Sequence, residues 1–349
     1  MRRFESMEPI ELLVGSEQRF FDFIKRLNEK DKIALISHSD LDGIASSKLA
    51  SKIVNAKFMK FVDYFDVNEG LVNELKANGI NKIIFTDISF DKGEIVKELE
   101  KFAEILIIDH HIFTFDLNSD KTVFLNAQGY CASYICYYLF SKINNLSGLD
   151  WLVAAASLSD FCYQKNAEWL EQVEKKYGEK FSIQEMTKLS RIYDLSLKLS
   201  LTLIYFRGKV EETYKMIGDD IDSIEHLDNY AKDVQREIYE SAERFEKEKN
   251  LFKSGKGYFW EFAPEFFIKS ILINGLSTKY PDKTIIIIQN NDSYYEVSAR
   301  RKDGKISLVE LLKNLSFGLG ISCGGHMFAA GATILPKDIL EFRERLKDL

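Results

Sequence analysis

The sequence predicts an α/β protein with an N-terminal parallel-sheet domain, a helical connector and a smaller mixed α/β C-terminal domain. Three observations lead there. Up to about residue 160, apolar runs of strand length alternate with amphipathic helical stretches, and strands apolar throughout their length are buried on both faces, as in parallel sheets. From about Ala167 to Asn250 the chain turns charged and helical, with Leu227, Tyr230, Val234, Ile238 and Phe245 spaced three, four or seven apart. From about Gly257 short strand patterns return, followed by a glycine-rich run. The boundaries read as 1–188, 189–250 and 251–349.

In the first domain the strands are KIALIS, KFMKFVDYF, KIIFTDIS and EILIIDHH, separated by helices at about Ile44–Val54, Val72–Ala77 and Gly93–Phe102. WLVAAASLSD, Trp151 to Asp160, reads as a buried helix that delivers Asp160. In the last domain GYFWEF, TIIIIQ and YYEVSAR are strands, with Asn290-Asn291-Asp292 as the turn between the last two. A helix near Leu308–Leu315, the run SCGGHMFAAGATI and a final charged helix complete it.

With 349 residues, 46% of them hydrophobic, the chain can bury a substantial core in more than one domain. The four cysteines (Cys131, Cys136, Cys162, Cys323) lack CxxC spacing, which argues against a zinc ribbon or a disulfide framework. No apolar run of about 18 residues exists to span a bilayer, and the start, MRRFESMEPIELL, is acidic where a secretory segment would be apolar. A cytoplasmic location without membrane partners is the expectation. A net charge of −7 argues against general duplex binding, which depends on neutralising many phosphates.

In open parallel sheets, ligands bind beyond the carboxyl ends of the strands. There the sequence places His38, Asp40 and Asp42 (HSDLD), Asp87 (TD), Asp109, His110 and His111 (DHH), and a helix end brings Asp160 (SLSD). Five carboxylates and three imidazoles repel one another in a dry crevice unless cations neutralise them, and mixed Asp/His sets suit Mn²⁺ or a similar first-row ion. A two-metal centre is therefore expected, with ions ~3.5–4 Å apart and hydroxide generated at neutral pH. A lone Asp after a strand, such as Asp87, is ordinarily a turn or cap residue. Adjacent histidines after ILII have no comparable packing reason. Four of the five histidines fall in these motifs or in the glycine-rich run (His38, His110, His111 and His326), and His226, in the charged connector, reads as a surface residue.

The chain resembles the DHH phosphoesterase superfamily, named for the triplet at Asp109–His111, and GGHMFAAGATI resembles the GGH signature of the C-terminal domain found in one of its branches. That branch includes RecJ-like exonucleases, nanoRNases, phosphoadenosine phosphate phosphatases and cyclic dinucleotide phosphodiesterases. The resemblance implies that His38 and Asp40 bind one metal and that Asp42, His110 and Asp160 bind the other. By the same resemblance Asp87 bridges both ions, Asp109 orients a histidine, and His111 contacts the substrate phosphate or leaving oxygen. Mn²⁺ is the expected ion, with Mg²⁺ or Co²⁺ as alternatives. The first motif has HxDxD spacing, closer to the RecJ-like form than the HxxxDxD of many nanoRNase relatives.

In the second domain Gly324 and Gly325 would let backbone N–H groups approach an anion. His326 would donate to phosphate, and Arg300 and Arg301 would pair with phosphate or stack on a base. Asn126, Gln128 and Ser133 are candidates for the catalytic side of the cleft, with turn formation and helix capping as the alternative.

The expected function is metal-dependent exonucleolytic cleavage of short single-stranded oligonucleotides to mononucleotides, in a cleft between the domains. The alternatives are a RecJ-like exonuclease on longer DNA or RNA, a 3′-phosphoadenosine 5′-phosphate phosphatase or (cyclic) dinucleotide phosphodiesterase, and an inactive Cdc45-like replication scaffold. The sequence leaves monomer and homodimer both open.

Overall fold

The computed structural model describes residues 7, 9–90, 93–178, 180–291 and 293–349. The chain divides into two compact units, Met1–Asp228 and Asn229–Leu349.

In the first unit the elements run α1 (Glu17–Arg26), β1 (Ile33–His38), α2 (Leu41–Ser51), β2 (Phe58–Val62), a 3₁₀ turn (Tyr64–Asp66), α3 (Glu69–Ala77), β3 (Lys82–Thr86), α4 (Glu94–Glu100), β4 (Glu104–Asp109) and β5 (Thr122–Asn126). Helices α5 (Ala132–Phe140), α6 (Asp150–Ser159), α7 (Ala167–Lys176), α8 (Ile183–Leu189), α9 (Arg191–Tyr205) and α10 (Val210–Met216) follow. The sheet order is β2-β1-β3-β4-β5 and every pair is parallel, so all carboxyl ends lie along one edge. Its strands read as continuous apolar runs because both faces are covered: Ile83, Ile84 and Phe85 are all fully buried. Each such side chain contributes roughly 1.5–3 kcal/mol through burial.

The sequence patterning misses β5, TVFLN, a five-residue strand too short for its period to stand out. It also starts α2 three residues late. Asp40 is the N-cap of that helix and accepts from Gly43 N–H at 3.0 Å, so the helix begins at Leu41 and Asp42 lies in its first turn. The strand KFMKFVDYF ends at Val62, where the chain enters the 3₁₀ turn.

Helix α2 packs on β1, α5 and α6, and α6 packs on α9. Three buried hydroxyls tie α2 to the sheet: Ser47 donates to Ser37 Oγ at 2.5 Å, and Ser37 bonds Thr86 across β1 and β3. These groups satisfy one another, so the polar atoms carry no desolvation penalty within the apolar layer.

The second unit contains α11 (Asp228–Glu248, its first residue closing the first unit), β6 (Asn250–Leu251), β7 (Gly257–Phe262), α12 (Lys269–Lys279), β8 (Thr284–Asn290), β9 (Tyr295–Arg300), α13 (Leu308–Ser316), β10 (Ser322–Gly325), β11 (Ala329–Ile334) and α14 (Ile339–Lys347). Its sheet order is β10-β11-β9-β8-β7-β6, antiparallel except for the parallel β7–β8 pair. Ile286, Ile288, Leu308, Leu312, Ile334 and Phe342 share one core. The helical stretch expected as a connector is thus divided: α9 and α10 belong to the first unit and α11 to the second. Of the turn expected at 290–292, Asp292 lies outside the described residues. Among the described residues, no helix is long and apolar enough to cross a membrane.

Gly43 sets the register between β1 and α2. A Cβ there would lie 2.2 Å from His38 O and 2.7 Å from His38 C. Gly43→Ala is expected to destabilise the chain by ~1–3 kcal/mol, the usual cost of overpacking. Urea denaturation checks this; an unchanged midpoint would contradict it.

Candidate metal centre

His38 ends β1, Asp87 follows β3, and Asp109 ends β4 with His110 and His111 just beyond. Because β3 lies between β1 and β4 in the sheet, Asp87 is flanked by the two histidine-bearing strand ends. Asp160, the residue after α6, reaches the same place. His38 Nδ1 lies 3.0 Å from Asp40 Oδ2 and 3.6 Å from Asp87 Oδ2. On the other side His110 Nε2 lies 3.4 Å from Asp87 Oδ1, 3.3 Å from Asp160 Oδ2 and 3.9 Å from Asp42 Oδ2. The sets His38/Asp40/Asp87 and Asp87/His110/His111 each bring their ligand atoms within 4.8 Å of one another, and Asp87 belongs to both.

Asp87 is 1% exposed and adopts φ 60°, a left-handed conformation that costs free energy for a residue other than glycine, though less for Asp and Asn than for most. Its Oδ2 is buried with no hydrogen-bond partner, as is Oδ2 of Asp160. Burial, reinforced by Asp40 and Asp42, pushes the Asp87 carboxyl well above the ordinary carboxylate range. Burial and then Asp42 raise Asp160 to about 7. Burial lowers both histidines, but Asp40 and Asp87 outweigh it at His38, and Cys162 followed by Asp42, Asp160 and Asp109 outweigh it at His110, raising each to about 10. All four shifts favour the protonated forms, and cations binding the same atoms would compete with those protons.

Asp42 has a further partner. Its two oxygens accept from Ala132 N–H at 2.7 Å and Ser133 N–H at 2.9 Å, so it caps the N-terminus of α5, where the helix dipole favours negative charge. Ser133 therefore acts through its backbone. Asp109 Oδ1 lies 2.8 Å from His111 Nδ1, so the histidine that Asp109 orients is His111. Asn126 is buried at the end of β5 and donates from Nδ2 to His111 O at 2.9 Å, fixing the DHH backbone from the neighbouring strand.

Three residues at the centre escape sequence patterning. Tyr64 OH lies 2.9 Å from His111 Nε2. Asp63 Oδ1 lies 3.9 Å from His38 Nε2. Cys162 Sγ lies 3.8 Å from His110 Nδ1 and forms a third ligand-competent set with His110 and Asp160. The VDYF segment reads as the tail of a strand, so nothing in its period marks Asp63 or Tyr64. The position of Cys162, two residues past Asp160, was the available signal.

In the second unit Arg300 donates from Nε to Asn274 Oδ1 at 3.1 Å and from Nη1 to Ala299 O at 2.9 Å, and it remains partly exposed. Arg301 differs from the expected phosphate ligand. It is 6% exposed, its Nε and Nη2 grip the Asp303 carboxylate at 2.6 and 2.8 Å, and its Nη1 donates to Lys256 O and Thr284 Oγ1. Its fork holds the β8–β9 end together instead. Gly324 and Gly325 lie in β10, paired with Gly331 and Ala330. Gly325 has φ 137°, and a Cβ there would meet Ala329 O at 2.4 Å, so the close pairing itself requires glycine. His326 N–H donates to Ala329 O at 2.7 Å, closing the hairpin, and its residue is exposed. His226 is exposed in the first unit, as expected.

The donor set fits divalent cations. Mixed Asp/His donors, two buried carboxylate oxygens that make no hydrogen bond and one carboxylate common to two triads are what a pair of ions bridged by Asp87 would need.

Known proteins resemble this chain in family and in fold. Residues 32–159 match the family model of the DHH family, N-terminal domain, and residues 268–349 match that of the DHHA1 domain. No curated protein sequence matches the chain. Among solved structures, the exonuclease RecJ bound to manganese has a TM-score of 0.68 at 13% identity, covering 98% of this chain and 95% of RecJ. Cdc45 from Entamoeba histolytica has a TM-score of 0.60 at 10% identity, covering 95% and 97%. The pGpG-specific phosphodiesterase PggH from Vibrio cholerae has a TM-score of 0.53 at 14% identity, covering 90% and 98%. At these identities the likeness concerns the fold, while the two family models carry the assignment: the chain belongs to the DHH phosphoesterase superfamily, with an N-terminal DHH domain and a C-terminal DHHA1 domain.

Proposed function

We propose that the chain is a metal-dependent phosphodiesterase that cleaves short single-stranded oligonucleotides to mononucleotides as an exonuclease. The observation that carries this reading is Asp87, a buried carboxylate whose Oδ2 makes no hydrogen bond and which is common to two candidate ligand sets. His38 and Asp40 would hold one cation, Asp42, His110 and Asp160 the other, and Asp87 both. When bound, such a pair supplies Lewis acidity, water activation and neutralisation of developing negative charge.

The chain's own residues supply the geometry. Asp109 and the Asn126 side chain fix the ring and the backbone of His111, the group proposed to meet the substrate phosphate or the leaving oxygen. Capping of α5 by Asp42 fixes that carboxylate at the edge of His110. In the second unit Arg300, Gly324, Gly325 and His326 are the proposed nucleotide contacts, without Arg301. The manganese in the RecJ structure supports Mn²⁺ as the ion, and the −7 charge supports short substrates over long strands.

The HxDxD spacing and the likeness to RecJ favour a second reading, an exonuclease on longer strands. A scaffold role in the manner of Cdc45 is disfavoured because every expected acidic ligand position is filled.

Asp87→Asn keeps the size of the side chain and its tolerance of left-handed φ while removing the charge. It is expected to lower Mn²⁺-dependent turnover by more than the ~10–100-fold typical of losing an outer-shell contact, with an unchanged circular-dichroism spectrum; near-normal turnover would overturn the bridging assignment. Chelation should abolish hydrolysis and added Mn²⁺ restore it; activity that persists in excess chelator would contradict metal dependence. In a length series of labelled single strands, fast cleavage confined to the shortest supports the leading reading, and preference for the longest replaces it with the second. Arg300→Ala should raise KM with little change in melting temperature, whereas Arg301→Ala should lower the melting temperature. The reverse pattern would refute the separation of their roles.

A further inference from the structure

The 3₁₀ turn Tyr64–Asp66 buries none of its residues, so core packing does not explain its position. Ser39 Oγ donates to Asp63 Oδ1 at 2.6 Å, and a reciprocal pair of bonds between Asp63 and Asp66 shapes the turn. From it the Tyr64 ring stacks on His38, with centroids 4.5 Å apart and planes 19° apart. The same ring meets His111 nearly edge-on at 5.6 Å and 84°, and its hydroxyl lies 2.9 Å from His111 Nε2. One side chain therefore touches both a candidate metal ligand and the histidine proposed to meet the substrate.

The hydrogen bonds at His111 have a defined direction. An ionised carboxylate only accepts, so the 2.8 Å contact with Asp109 places the imidazole hydrogen on Nδ1. In the neutral imidazole Nε2 then carries the lone pair, and the Tyr64 hydroxyl donates to it. We propose that Tyr64 is a positioning residue: its hydroxyl holds His111 as the Nδ1–H tautomer in one ring orientation, and its ring face keeps His38 turned towards Asp40 and Asp87. The catalytic consequence rests on the phosphodiesterase reading; the hydrogen-bond chain does not.

The test compares Tyr64→Phe and Tyr64→Ala in the full chain. Phe keeps the stack on His38 and removes only the hydroxyl; Ala removes both. Nitrogen–proton correlation spectra of the histidine rings, recorded with Mg²⁺, should show His111 as a single Nδ1–H tautomer in the wild type and as a tautomer mixture in Tyr64→Phe. On a dinucleotide substrate Tyr64→Phe should lower kcat by about 10-fold with KM almost unchanged, the size of loss seen for outer-shell partners. Mn²⁺ affinity by calorimetry should be unchanged in Tyr64→Phe and weakened in Tyr64→Ala.

A Tyr64→Phe variant with the wild-type tautomer and wild-type kcat would overturn the proposal. If the wild-type chain hydrolyses no phosphodiester, the functional reading fails, and the tautomer spectra alone decide the role of Tyr64.

Discussion

The carboxyl edge of the first sheet depends on one buried charge, the carboxylate of Asp87. Burying an unpaired carboxylate is costly unless an opposite charge or proton compensates it. The sheet order dictates where compensation comes from: β3 is the central strand, β1 brings His38 on one side, and β4 brings His110 and His111 on the other. Burial and neighbouring carboxylates push Asp87 and Asp160 above the ordinary carboxylate range, and His38 and His110 are raised to about 10, so all four groups lean towards forms that cations would replace. The left-handed backbone at Asp87 is a second cost concentrated at the same residue.

Around this charge the fold fixes the proposed ligands by secondary-structure ends rather than by loops alone. Asp40 caps α2, Asp42 caps α5, and Asp160 follows the last turn of α6. A carboxylate that caps a helix is held in place by backbone N–H groups, so its orientation is set before any cation arrives. The hydroxyls of Ser37, Ser47 and Thr86 lock α2 to β1 and β3 just beneath. Preorganisation of this kind is what a two-ion site needs, since a displaced ligand changes the separation of the ions.

Much of this was legible in the sequence, for a physical reason. Strands buried on both faces show as unbroken apolar runs, so a polar residue after each run marks the sheet edge, and DHH after ILII is the clearest case. What was illegible arises from tertiary contact. Tyr64 and Asp63 stand at the end of a strand-like stretch, and only the fold brings them to His111 and His38. The double role of Asp42 depends on α5, ninety residues away in the chain. Arg300 and Arg301 are equivalent as a basic pair in the sequence, but Arg300 ends β9 and Arg301 lies just past it. One stays partly exposed beside Asn274, and the other is buried against Asp303.

The most direct test of the central claim is Mn²⁺ binding to the wild-type chain, followed by calorimetry and electron paramagnetic resonance. A carboxylate shared between two ligand sets predicts two ions per chain with a spin-coupled spectrum. A single ion per chain, or two with uncoupled signals, would contradict a centre bridged by Asp87.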